Sequence, residues 1–270
     1  MTQSVLIISS LEPLGEPAAE VLREAGTLGL WEMSDRTWRA YFPSESDSIA
    51  AALLRLDPEL SLRWEAQESV DWVQRYQASL RAIPVGRRFV ILPSPDLDNP
   101  CPGRMTLELV PGMAFGTGEH FTTASCLRTL EALSPVPSSI LDLGCGTGIL
   151  AAAAWKLGAR RVLVCDIDPE ACAVSRETAR VNGTPFTVAL GSVAVTDARF
   201  DCVLANILGQ TLVELMPEIG SRVSPGGWLI GSGILLNLGG DVLNAASLQG
   251  FRLVQQRTNG EWWTFLWRAE

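Results

Sequence analysis

The stretch Leu141-Asp142-Leu143-Gly144-Cys145-Gly146-Thr147-Gly148 admits few backbones. A short apolar strand over residues 140–143 runs into three glycines on alternate positions. An Ala-rich helical run over residues 149–157 follows, and Gly158 stops it. Glycine at such a junction lets the backbone approach a ligand where a side chain would obstruct it. At the end of the next strand, twenty-two residues after Gly144, stands Asp166. A carboxylate there can accept both hydroxyls of a ribose. Loop, strand–helix setting and spaced acid together predict a nucleoside-cofactor site.

The rhythm from residue 140 onward is strand, helix, strand, helix. Asp168 can cap a helix that has Pro169 at its first position, and Asn182-Gly183 ends it. Residues 161–165, 186–190, 201–205 and 228–230 read as further strands. This predicts a doubly wound, Rossmann-like α/β sheet. Residues 251–257 and 262–267 flank Thr258-Asn259-Gly260, which reads as a hairpin and adds an antiparallel element at the sheet edge.

The first part of the chain alternates faster. Residues 5–8 read as a strand. Ala18, Val21, Leu22 and Ala25 fall at helical spacing before Gly26. Residues 28–33 and 37–42 read as strands around Ser34-Asp35. Ile49, Leu53 and Leu56 mark a second helix ended by Asp57-Pro58, and residues 60–64 read as the last strand. The order βαββαβ predicts a small ferredoxin-like α+β domain over residues 1–65. It holds no cluster of catalytic residue types, so it reads as a binding module for a macromolecular substrate or as a structural appendage. A linker helix is expected over residues 66–80, with Val73, Tyr76 and Leu80 on one face, leaving 81–270 for the large domain. Four prolines between residues 93 and 103 mark a loop. Arg81, Arg87 and Arg88 form a basic group, either a solvated surface or a contact for a partner.

The cofactor can be narrowed by charge. A dinucleotide loop is G-x-G-x-x-G with its pyrophosphate on the helix N-terminus. Here the glycines run G-x-G-x-G, an acid, Asp142, precedes them, and no Lys or Arg lies between Pro135 and Trp155. S-adenosylmethionine carries a sulfonium and an ammonium and no phosphate, so it suits this loop better than NAD. Residues 81–270 then read as a methyltransferase domain. Six scattered cysteines form no C-x-x-C, which argues against metal or redox chemistry and for reduced core thiols in a cytoplasmic protein. No apolar run approaches a membrane span, and Met1-Thr2-Gln3-Ser4 lacks the basic patch of a secretion signal. A formal net charge of −9 disfavours direct nucleic-acid binding and suits a basic partner.

Two further stretches carry chemistry. Asn206 ends the strand at Leu204-Ala205-Asn206-Ile207-Leu208, where its side-chain carbonyl could accept a hydrogen bond from an amine or merely close a turn. Residues 111–123 hold three glycines and three threonines, which suggests a loop built to wrap a ligand. His120, the only histidine, could act there as a general base or hold the loop in place.

Residues 111–123, the 142–148 loop, Asp166-Ile167-Asp168-Pro169, Ala205-Asn206-Ile207-Leu208 and Ser232-Gly233-Ile234-Leu235 closely resemble the PrmA family. That family methylates large-subunit ribosomal protein eleven. The resemblance implies transfer of methyl groups from S-adenosylmethionine to amino groups of that protein, on lysine side chains and the N-terminal amine. It also implies a ferredoxin-like recognition domain. By this resemblance Thr123, Gly144, Asp166 and Asn206 occupy cofactor-binding positions. Gly146 and Phe115 on the same two loops are expected to go with them. From its own chemistry and position, Asn206 is further expected to orient the acceptor amine. Val110 stands where an Asp is common and Phe121 where a Pro is common, so the entry loop departs from the pattern. Methylation of RNA or another protein, or cofactor binding without catalysis, are the alternatives on the same core.

Overall fold

The computed structural model describes residues 2–68, 80–94, 96–110 and 120–270. It divides into two compact units, Met1–Ser79 and Leu80–Glu270. Among the described residues no helix is long and apolar enough to cross a membrane.

The first unit contains β1 (Thr2–Ser9), α1 (Glu16–Glu24), β2 (Gly29–Ser34), β3 (Thr37–Phe42), α2 (Asp47–Leu56) and β4 (Ser61–Glu68). The strands form one sheet in the order β2-β3-β1-β4, with every neighbouring pair antiparallel. This is the split βαβ arrangement expected from the element order. Alternate residues of β3, Trp38, Ala40 and Phe42, are buried with Leu6 and Ile8 of β1 against Leu22 of α1 and Leu53 of α2. Period-two burial on strands and i, i+4 burial on helices meet in one apolar layer. Leu56 does not join it; at the last position of α2 it is exposed. The last strand runs four residues past its expected end, so residues 66–68 belong to β4 and not to a linker helix. Of the remainder of the expected linker, residues 69–79 lie outside the described residues and Leu80 is not helical.

The second unit begins with a three-stranded sheet missed by the sequence reading: β5 (Ile83–Val85), β6 (Phe89–Leu92) and β7 (Met105–Glu108). All four residues of β6 are buried. Then follow α3 (Phe121–Glu131), β8 (Ser139–Leu143), α4 (Ile149–Leu157), β9 (Arg161–Asp166), α5 (Pro169–Asn182), β10 (Thr187–Leu190) and β11 (Phe200–Asn206). The chain ends with α6 (Gly209–Arg222), β12 (Val223–Leu235), α7 (Gly239–Leu248), β13 (Phe251–Thr258) and β14 (Trp262–Ala269). Helices α3, α6 and α7 were likewise not foreseen.

Seven strands make one sheet in the order β10-β9-β8-β11-β12-β14-β13. The first five are parallel, and the hairpin β13–β14 inserts β14 antiparallel beside β12. Both faces are covered, which is why β8 is buried at every position. Ile140 faces α3 and α4, and Leu141 and Leu143 face the layer of α6 and α7. The strand order reverses between β8 and β11, leaving a crevice beyond their carboxyl ends. At the opposite end of that pair, Asp201 Oδ2 accepts from Ser138 Oγ at 2.7 Å and from the Ser139 N–H at 3.0 Å. The Ser138 hydroxyl holds the Asp201 carboxyl below its ordinary range.

Candidate active site

The cleft lies at the crevice the topology requires. Its volume is about 430 Å³. The β8–α4 turn contributes Gly144 and Gly146, the end of β9 Asp166 and Ile167, and the end of β11 Asn206, Ile207 and Leu208. The start of α3 adds His120 and Thr122, and the start of β14 adds Trp262.

The turn is shaped by what its backbone must do. Gly144 has φ +68°, in the left-handed region that disfavours side chains, and a Cβ there would overlap the Ile207 side chain. Its N–H and that of Cys145 both donate to the Cys165 carbonyl, at 2.8 and 3.1 Å, and so tie the turn to β9. The Asp166 carboxylate is held by two backbone donors. Gly146 N–H reaches Oδ2 at 3.0 Å, and Asp168 N–H reaches Oδ1 at 3.0 Å. Each oxygen keeps acceptor capacity on the cleft side. Asp168 in turn caps α5, accepting from Glu170 N–H at 2.8 Å.

Asp142 sits beneath this turn and is buried, with no hydrogen-bond partner for Oδ2 among the described residues. Burial pushes its carboxyl from the ordinary 3.8 up to about 8; the Ala151 N–H opposes this and the Asp166 charge reinforces it.

Asn206 is fixed from one side only. Its Nδ2 donates to Thr123 Oγ1 at 3.4 Å, and its Oδ1 is buried with no partner among the described residues. His120 is the N-cap of α3. Its Nδ1 lies 2.8 Å from Thr122 Oγ1 and 3.4 Å from the Thr122 N–H that donates to it. Its ring meets Trp262 edge to face at 5.3 Å. The capping bond favours the holding role for His120 over that of a general base. Phe121, Thr122 and Thr123, expected in a wrapping loop, instead form the first turn of α3.

Four of the six residues expected at the site, Gly144, Gly146, Asp166 and Asn206, line the cleft. Thr123 is buried and reaches the cleft only through Asn206. Phe115 lies outside the described residues. The sequence reading missed Ile167, Leu208, Leu215 and Trp262, which make the apolar walls. Ile167 is 78% exposed beside Asp166, a position that its neighbour could have flagged. Trp262 had no local signal, because only the pairing of β14 with β12 brings it to the cleft.

Among the described residues, the lining includes no Lys or Arg. A carboxylate set for paired hydroxyls, a glycine turn with no room for Cβ and an absence of phosphate-binding cations fit a nucleoside sulfonium. The fold and site thus define an S-adenosylmethionine-dependent methyltransferase. A family model described as ribosomal protein L11 methyltransferase (PrmA) matches residues 12–270. The ribosomal protein L11 methyltransferase of Geobacter metallireducens (strain ATCC 53774 / DSM 7210 / GS-15) is 42% identical over 199 residues, 74% of this chain and 66% of that protein. That of Geobacter sulfurreducens (strain ATCC 51573 / DSM 12127 / PCA) is 37% identical over 259 residues, 90% of this chain and 85% of that protein. The crystal structure of ribosomal protein L11 methylase from Lactobacillus delbrueckii subsp. bulgaricus superposes with a TM-score of 0.66 at 32% identity, covering 70% of this chain and 99% of that one. The chain belongs to the PrmA family.

Replacing Asp166 by Ala removes charge-assisted hydrogen bonds to the cofactor, with a net loss of about 1.5–3 kcal/mol. Calorimetry with S-adenosylmethionine should then give an affinity roughly 10- to 100-fold weaker. Unchanged affinity in a folded variant would remove Asp166 from the site.

Asp142 makes stability depend on pH. Between the unfolded pKa and about 8 the unfolded chain has released the proton and the folded chain still holds it. Wild-type stability therefore falls across that window, by about 1.4 kcal/mol per pH unit. Asp142→Asn lacks this slope, so its denaturation midpoint relative to wild type should rise from pH 5 to pH 8. A constant difference would mean that Asp142 is ionised in the folded protein.

Proposed function

We propose that this chain methylates amino groups of large-subunit ribosomal protein L11, on lysine side chains and the N-terminal amine. The observation that carries the reading is Asn206 Oδ1, buried at the end of β11 where the residue lines the cleft, with no partner among the described residues. A fixed neutral acceptor in that place suits an amine N–H.

When bound, S-adenosylmethionine supplies an electrophilic methyl group. Asp166 and the backbone of the Gly144–Gly146 turn would hold its nucleoside part. The remaining work falls to the chain's own residues. A lysine amine has a pKa of about 10.4, so on the order of 1 in 2,500 is neutral at pH 7. Apolar walls from Leu208, Leu215 and Trp262 disfavour the ammonium form and lower that pKa. Asn206 Oδ1 accepts an N–H of the neutral amine and directs its lone pair toward the methyl group. Thr123 holds the Asn206 amide in register, and His120 holds the start of α3. No dedicated base is required, and positioning supplies most of the acceleration.

Residues 1–65, within the first unit, act as the recognition domain. Among its described residues the unit has no catalytic cluster, and its edge strand β2 presents Trp31 and Met33, both more than half exposed. Exposed apolar side chains on an unpaired strand edge suit a protein partner. Catalysis itself requires no nucleic acid, and the reaction belongs in the cytoplasm, where newly made ribosomal proteins are found. Incubation with purified large-subunit proteins and labelled cofactor, read by intact-protein mass spectrometry, tests this reading. Absence of added methyl mass on L11 would overturn it.

A chain lacking residues 1–79 should bind cofactor as before and lose methylation of intact L11. Full-rate methylation by that truncated, folded chain would refute the recognition role.

For Asn206, single-turnover rates at saturating cofactor give the decisive measurement. Asn206→Ala should slow methyl transfer more than it weakens cofactor binding, because only contacts that improve in the transition state raise turnover. Asn206→Asp should slow it as well while L11 binds equally or more tightly, since a carboxylate pairs with the ammonium and holds it protonated. A normal single-turnover rate in Asn206→Ala would dismiss the orienting role.

A further inference from the structure

A second charged cavity lies at the far end of α3 from the cleft. Helix α3 starts at the cleft beside His120 and ends at Glu131, about 16 Å further along at 1.5 Å per residue. There the β5–β6 turn, the last turn of α3 and strand β13 border an open surface pocket of about 590 Å³. Arg87 and Arg88 come from the turn, Arg128 and Glu131 from α3, and Arg257 from β13.

Four positive charges face one negative charge, and the negative one is already engaged. Glu131 Oε1 accepts from the backbone N–H of Arg87 at 2.9 Å, and Oε2 from that of Arg88 at 3.0 Å. Gly86, with φ +58°, makes this contact possible, because a Cβ there would overlap the Glu131 carboxylate. The acid therefore fastens the turn to α3 through backbone donors and leaves the guanidinium groups unspent. None of the four arginines has a carboxylate within ion-pair distance among the described residues. Arg23, Arg39, Arg63, Arg180, Arg222 and Arg252 all do. Gln255, with its amide oxygen toward Arg257, accepts from Nη2 at 2.8 Å and steadies that side chain.

We propose that this pocket binds phosphate groups. Guanidinium forks match tetrahedral oxyanions in a bidentate way. Four of them from three separate elements offer more donors and charge than one carboxylate could satisfy. The phosphate can come from an RNA backbone or from a free phosphate or pyrophosphate. A formal net charge of −9 repels anions at a distance, so the attraction acts within a Debye length of about 8 Å at physiological salt. Binding is therefore short-ranged and salt-sensitive. It does not depend on the methyl-transfer reading, since the two sites share no side chain.

The test uses the full chain, titrated at low ionic strength with pyrophosphate and separately with a single-stranded RNA oligonucleotide. At least one should bind. Arg128→Gln combined with Arg257→Gln should weaken binding 10-fold or more, and the cofactor affinity and melting temperature should stay at wild-type values. Arg128→Lys with Arg257→Lys should fall between, because it keeps the charge and loses the fork. If RNA binds, its log–log salt slope should drop by about one per arginine removed; if pyrophosphate binds and RNA does not, the source is a free phosphate. Failure of both probes, unchanged binding in the Gln variant, or equal affinity for polyglutamate would overturn the proposal. Cofactor calorimetry on the same samples separates that failure from a failure of the methyltransferase site.

Discussion

Two backbone N–H groups, from Gly146 and Asp168, converge on the carboxylate of Asp166. One belongs to the turn after β8 and the other to the residue that caps α5. The carboxylate thereby links two successive crossovers of the sheet at the point where both open onto the cleft. Its position depends on Gly144, whose N–H binds Cys165 of the same strand β9 and whose missing Cβ admits Ile207 from the β11 side. Binding residues of three adjacent strands are thus set by one turn. A side chain at Gly144 would have to push aside the Ile207 side chain, which follows Asn206 at the end of β11.

The proposed chemistry also turns on what is neutral. On that proposal Asn206 offers the amine an acceptor without a charge, between apolar walls. A carboxylate in its place would stabilise the ammonium, which cannot attack. Nearby, Asp142 is kept protonated toward neutral pH by burial, so the region beneath the turn carries less negative charge than its sequence suggests. Asp166, at the end of β9, lines the cleft and is held by two backbone donors.

The large sheet was legible because its signals are local. The run 149–157 matches α4 at both ends, and Asp168-Pro169 through Asn182-Gly183 matches α5 with its caps. Period, cap and stop residue all act within a few positions. The N-terminal order βαββαβ was legible for the same reason, although β4 ran longer than its apolar core. Elements whose apolar pattern is diffuse were not found. The buried face of α3 includes Thr122 and Thr123, which read as the end of a ligand-wrapping loop, together with Ser125 and Thr129, and their burial follows from packing against β12 and β14. In the site, residues on the glycine turn and its partner acid were legible, because spacing along a strand–helix–strand unit is fixed. Trp262 and Leu215 were not, since strand pairing and helix packing deliver them from distant parts of the chain.

Helix α3 separates two electrostatic environments in one domain. Its first turn borders a cleft with no cationic lining residue among the described residues, and its last turn carries Arg128 beside Arg87, Arg88 and Arg257. The separation has a consequence for selectivity. A cleft that offered guanidinium groups would attract nucleotides, which share the ribose that Asp166 can bind. Without them, a pyrophosphate-bearing ligand would lose its hydration and gain no cation in return. The cation-free lining thus discriminates among nucleosides by the charge of what is attached to the ribose, favouring a sulfonium over a phosphate. Cations gathered about one helix length away leave that discrimination intact, because screening by salt confines their field to their own pocket.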